Sequence, residues 1–129
     1  LKKHTDAAGI DFISLIAPTT GMRRAKKIAA TATGFLYYIS ITGVTGTAEP
    51  KLGGIKADLK KIRKISSLPV AVGFGISQPE QARQIGRLAD GIVVGSALVK
   101  LIAENGGRAE LLKSVSDYAG RMKKAIKYI

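Results

Sequence analysis

Two short apolar runs, VAVGF from Val70 to Phe74 and GIVVG from Gly91 to Gly95, bracket a single amphipathic helix pattern. Both runs are continuous and rich in β-branched residues rather than alternating, as buried parallel strands are. Each ends in glycine and serine where the next helix is due to begin. At such a turn the first helical N–H groups have no partner and the helix dipole is positive, so an anion is stabilised there. Glycine lets a phosphate come close to the backbone with no Cβ in the way. Two of these turns on neighbouring strands are expected to grip one phosphate between them.

The 129 residues suffice for one domain or part of one. No apolar run approaches the roughly 20 residues that span a bilayer, and no signal-peptide pattern follows the opening LKKHTDAAG. With no cysteine there is no disulfide, thiol nucleophile or zinc-thiolate site, and no metal site is expected. A cytoplasmic protein is the expectation. A first residue of Leu1 rather than Met leads us to expect a segment upstream. The formal charge of +12 is spread over the polar faces of several helix patterns, with few aromatics among the basic residues. Solvated faces are therefore expected, not a nucleic-acid or membrane surface.

In chain order, Leu1 to Gly9 reads as the end of a helix, and IDFISLIAP from Ile10 as a strand stopped by Pro18. Thr19 or Thr20 can cap a helix over Gly21 to Thr33, and Phe35 to Ile41 reads as the next strand. The glycine-rich stretch from Thr42 to Gly54 reads as a loop, expected to be mobile until ligand binds. Helix patterns follow over Ile55–Ser66 and Pro79–Leu88. The second opens on a Ser77–Glu80 capping-box spacing with Pro79 in its first turn. After GIVVG come a short helix, Ala97–Glu104, and a terminal one from about Ala109 to Lys127.

Strict strand–helix alternation implies an α/β fold with a parallel sheet covered by helices. Its parallel (β/α) units suit half of a TIM (β/α)8 barrel or a small doubly wound sheet. The extra short helix after the last strand favours the barrel, because such barrels often hold phosphate with a short extra helix after strands seven and eight. Tyr37 and Tyr38 are adjacent, so in a strand they face opposite sides, and by position alone either could simply pack. Phe74 by itself reads as core, Ser96 as a helix N-cap, and Gly43, Gly53 and Gly54 as turn glycines. His4, the sole histidine, reads as a surface residue without a triad to join.

The segments DFISLIAPTT, GFLYYISITGVTG, PVAVGFGIS and ADGIVVGSALV, in this order and spacing, resemble the second half of the tryptophan synthase alpha chain. The resemblance covers essentially all of this chain and about half of a family member. It implies a C-terminal half-barrel over residues 1–129, lacking the first half, in a lyase of tryptophan biosynthesis. That lyase cleaves indole-3-glycerol phosphate to indole and glyceraldehyde 3-phosphate. By the same resemblance the substrate phosphate is held at Gly46, Gly75, Gly95 and Ser96, and Phe74 and Val93 line the indole pocket. Tyr37 matches an active-site tyrosine, and Thr45 the threonine of a loop that closes over the site. The family passes indole to a beta chain that carries pyridoxal phosphate, in a heterotetramer; no cofactor is implied for this chain.

Cleavage of this kind needs one group to protonate the indole ring and another to move protons at the glycerol and ring nitrogen, so two carboxylates are expected. The family supplies both from the first half of its barrel. Here Asp11 and Asp90 precede or open strands, at the wrong end, and the other acidic residues fall on helices or loops. This segment alone is therefore expected to be inactive and to self-associate through its open edges. A non-catalytic phosphate-binding half-barrel is the alternative, and another phosphate-binding barrel enzyme a third reading. The TGVTG loop and the tyrosine before it argue against the third.

Overall fold

The structure, a computed structural model, describes residues 2–40, 52–73, 75–107 and 109–127. Thr45, Gly46 and Phe74 lie outside them, as does the predicted loop up to residue 51. Four strands, β1 (Ser14–Ile16), β2 (Leu36–Ile39), β3 (Val70–Gly73) and β4 (Gly91–Val93), form one parallel sheet in the order β1-β2-β3-β4. Six helices alternate with and follow them: α1 (Lys2–Ala7), α2 (Met22–Ala29), α3 (Leu52–Arg63), α4 (Pro79–Gly86), α5 (Ser96–Asn105) and α6 (Leu111–Lys127). This is the predicted element order.

The sheet has two unequal faces. Ile16, Leu36, Tyr38, Val70 and Val72 point to one side and are buried beneath the apolar stripes of the helices. Those stripes are Ala25 and Ala29 of α2, Ile55, Leu59 and Ile62 of α3, and Ala82 and Ile85 of α4. Met122 and Ala125 of α6 join the same cluster. The opposite parity, Leu15, Tyr37, Ile39, Ala71 and Val93, faces a side that no described element covers; Leu15 is 53% exposed. A parallel sheet normally has both faces covered; among the described residues only the helix side is.

Several predicted boundaries move, each for a local reason. The first strand is three residues long, because Phe12 instead exchanges hydrogen bonds with Thr33, its N–H to the hydroxyl and its carbonyl from the backbone N–H. Neither Thr19 nor Thr20 caps α2. Gly21 is the N-cap, and the Thr20 hydroxyl accepts the Ala17 N–H. Leu52, Gly53 and Gly54 belong to the first turn of α3, so these two glycines are helical rather than turn residues. The capping interaction of α4 runs from Gln81, whose Oε1 accepts the N–H groups of Ser77 and Gln78, instead of from Glu80. Pro79 opens that helix as expected. On α6 it is Leu111 that turns inward, while Leu112 is 82% exposed.

Candidate functional site

The pairing of β3 with β4 places Gly73 opposite Val93. Two residues beyond each lie Gly75 and Gly95, so the two glycine turns leave neighbouring strands side by side, at the carboxyl edge of the sheet. That edge is where parallel α/β folds bind ligands. Gly75 has φ 74, a left-handed conformation that side chains rarely adopt. Gly95 is the N-cap of α5 and Ser96 its first residue; both are exposed. No side chain bonds to the cap, and a Cβ built on Gly95 meets nothing within 4 Å. The first N–H groups of α5 are thus open to an anion.

The turn after β3 is pinned from two directions. Gln81 holds the N–H groups of Ser77 and Gln78 at 2.9 and 3.0 Å. The Tyr118 hydroxyl, from α6, donates to the Ser77 carbonyl at 3.0 Å. The terminal helix therefore fixes the backbone two residues after Gly75.

Tyr37 stands on the open face beside these turns. Its register partners are Leu15 on one side and Ala71 on the other, and its phenol lies across Gly73. A Cβ at Gly73 would collide with the Tyr37 hydroxyl and ring. Burial pushes the phenol pKa up, so at neutral pH it is a neutral hydrogen-bonding group. Ser40 anchors the same point, its hydroxyl and N–H both donating to the Gly73 carbonyl at 2.9 and 3.0 Å. Val93 shares the face through its pairing with Gly73. Tyr38 points the other way, is buried, and donates to Asp58 Oδ2 at 2.7 Å.

Tyr37 and Val93 therefore share one face of the sheet, and Gly75, Gly95 and Ser96 follow the carboxyl ends of two paired strands. Two residues not singled out in the sequence join them. Leu15 shares the face by parity with Tyr37, and Gly73 provides the space for its ring. Strand parity read outward from Tyr37 would have reached Leu15; nothing in the sequence alone ties Gly73 to a tyrosine 36 positions earlier. Among the described residues no group of His, Cys, Asp and Glu could hold a metal, and no helix is long and apolar enough to cross a membrane.

The family model for the tryptophan synthase alpha chain matches residues 1–127. The chain belongs to the tryptophan synthase alpha chain family. A relative from Citrifermentans bemidjiense is 43% identical over 126 residues, 98% of this chain and 47% of its own length. One from Gluconobacter oxydans is 49% identical over 113 residues, 85% of this chain and 42% of the relative. Both are tryptophan synthase alpha chains. Among solved structures, tryptophan synthase from Mycobacterium tuberculosis superposes with a TM-score of 0.84 at 28% identity, covering 99% of this chain and 46% of that one. The alpha subunit from Legionella pneumophila gives 0.81 at 33%, with 99% and 47% covered. The chain thus spans about half the length of the tryptophan synthase alpha chains it matches. Its four-stranded sheet is the corresponding part of their TIM barrel.

Proposed function

We propose that these residues form the phosphate-holding half of a tryptophan synthase alpha chain, a cytoplasmic lyase of tryptophan biosynthesis. In this reading the whole protein cleaves indole-3-glycerol phosphate to indole and glyceraldehyde 3-phosphate. The observation that carries it is the pair of glycine turns at the carboxyl edge of β3 and β4, beside the Tyr37 phenol. Backbone N–H groups at Gly75, Gly95 and Ser96 take the substrate phosphate, and the Ser96 hydroxyl is a further donor. Gly46 completes the set if it follows the family pattern. Leu15, Tyr37 and Val93 offer apolar contact to the indole; Phe74 and Thr45, by the family pattern alone, are a further indole contact and a residue of the closing loop.

The chemistry needs an acid for the indole ring and a base for the glycerol and ring nitrogen. Among the described residues no Asp or Glu stands at the carboxyl end of a strand, so both groups come from the rest of the protein. Indole then passes to a beta chain bearing pyridoxal phosphate, the partner in a heterotetramer. A non-catalytic phosphate-binding half-barrel is the second reading, favoured by the same lack of a carboxylate pair among the described residues.

Gly95→Val is the test. A Cβ there meets nothing within 4 Å, but with φ −113 and ψ −80 the backbone is neither helical nor extended. Thermal unfolding of the variant is therefore measured beside binding, to separate a blocked anion from a strained turn. Calorimetry with glycerol 3-phosphate should show binding in the parent and a loss of about tenfold or more in the variant. Unchanged affinity would refute the grip.

A further inference from the structure

The basic residues occupy several helices and are densest on two neighbouring ones. α2, α3 and Lys64 carry nine basic side chains against one acidic, a surplus of eight out of the net +12. The acid, Asp58, is already taken by Lys61 and Tyr38. α2 and α3 flank a cavity of about 210 Å³, with Gly21, Met22 and Ala25 on one wall and Asp58, Lys61 and Ile62 on the other.

Part of this charge has a structural explanation. Lys26 and Lys27 lie in the last turn of α2, and Lys60, Lys61 and Arg63 in that of α3, where the helix dipole favours cations. Arg63 also pairs with Asp90. The remainder has none. Arg23 and Arg24 sit in the first turn of α2, the end that favours anions, and neither helix has an acid in its first turn. Arg23 stands four residues before Lys27, and Lys56 four before Lys60, so these side-chain neighbours repel. Elsewhere the same spacing joins opposite charges, Lys2 with Asp6 and Lys100 with Glu104. Arg23, Arg24 and Lys56 are exposed and, among the described residues, make no ion pair. These three cations sit where they weaken their own helices, and an anion bound from outside would reverse that effect.

We propose that the α2–α3 face docks an acidic segment of a partner protein, with Arg23, Arg24 and Lys56 as its principal contacts. Most apolar residues between the basic ones, Ala25, Ala29, Ile55, Leu59 and Ile62, are buried in the core. The exposed ones, Met22 and Leu52, are single residues at the starts of their helices and form no continuous apolar face for a bilayer. No exposed aromatic stands on either helix to stack on a base. Carboxylates four residues apart on a partner helix would recur about every 6 Å, matching the spacing of the basic rows. The face lies on the helix side of the sheet, so the inference stands apart from the phosphate grip.

The test uses the full-length protein and poly-L-glutamate as probe, with binding read by fluorescence anisotropy at about 0.15 M salt. The triple variant Arg23→Gln/Arg24→Gln/Lys56→Gln should lose at least about tenfold in affinity and melt no lower than the parent. Its glycerol 3-phosphate binding should be unchanged, which separates this proposal from the phosphate reading. A control variant of equal charge on α6, Lys113→Gln/Lys123→Gln/Lys124→Gln, should keep affinity within about twofold. Equal losses in the two variants would mean a net-charge effect and overturn the proposal. So would absence of saturable binding, or tighter binding of single-stranded RNA or phosphatidylserine vesicles than of polyglutamate.

Discussion

The phenol of Tyr37 lies across Gly73 on the adjacent strand, in the space that any side chain at position 73 would need. β2 and β3 are locked at this point by Ser40, so the strands cannot part to relieve a clash. Gly73→Ala should therefore displace the Tyr37 ring and cost about 1–3 kcal/mol of stability, the usual range for overpacking. Tyr37→Ala in the same chain removes the obstacle. A double-mutant cycle by chemical denaturation should show a favourable coupling of about 1 kcal/mol or more. Strict additivity would mean that the two side chains do not compete for space.

Tyr118 gives a second prediction, about the site rather than the core. Its hydroxyl holds the Ser77 carbonyl, two residues after Gly75. Tyr118→Phe removes that donor and keeps the ring packed. Stability should fall by about 1 kcal/mol, and glycerol phosphate should bind a few times more weakly because the Gly75 turn is less well held. Calorimetry and thermal unfolding on one sample separate the two effects. An equal affinity with a lowered melting point would limit Tyr118 to packing.

How much of this site could be read from the sequence depends on what kind of fact each residue represents. Continuous apolar runs and their terminal glycines mark β3, β4 and both glycine turns, because burial and chain reversal act locally. The opposite facing of Tyr37 and Tyr38 follows from strand parity alone. The capping of α2 and α4 is not legible in the sequence because several hydroxyls and amides compete within four residues, and packing of the loop decides among them. Thr20 is drawn to Ala17, and Gln81 outcompetes Glu80. Tyr37 over Gly73 and Tyr118 on Ser77 join residues 36 and 41 positions apart. No local pattern encodes such pairs; they appear only once the sheet and its helices are assembled.

Protonation of carboxylates should weaken the fold at low pH, and deprotonation of a buried tyrosine at high pH. The Val70 N–H holds the Asp90 carboxyl below the usual range; burial opposes this, and Arg63 adds to it. Burial pushes Asp58 up, but the bonds from Lys61 and Tyr38 outweigh it and the net shift is downward. A lowered folded pKa gives stability that is present above about pH 4 and is lost as pH falls through the folded value. Tyr38 is raised by burial first and by Asp58 second, so its contribution is present below about pH 10 and lost above it. Asp90→Asn should flatten the acid limb of a stability–pH curve, and Tyr38→Phe the alkaline limb. An acid limb identical to the parent's in Asp90→Asn would exclude that carboxyl as its source.

The final prediction concerns a polypeptide of residues 1–129 by itself. Its accessible surface is 8574 Å², against roughly 6,600 Å² for a compact monomer of its mass of 13.6 kDa. The excess of about 2,000 Å² per chain is more than the roughly 800 Å² that each partner of a standard interface buries. Part of it is the uncovered sheet face around Leu15, flanked by β1 and β4 as open edges of the same strand sense. A two-fold rotation about the axis of a barrel would set β4 of one copy beside β1 of the other at both seams, continuing the parallel order around eight strands. The basic helices would remain outside, away from the contact. Sedimentation equilibrium at micromolar concentration should therefore show dimer, and Leu15→Lys, which sets charges inside the shared face, should shift it to monomer. The polypeptide should not cleave indole-3-glycerol phosphate, because among the described residues no carboxylate stands at a strand's carboxyl end, and each missing acid or base forgoes about 10² to 10⁴-fold. A stable monomer at these concentrations would mean that the face is covered from within, and measurable turnover would mean that acid and base lie among these residues after all.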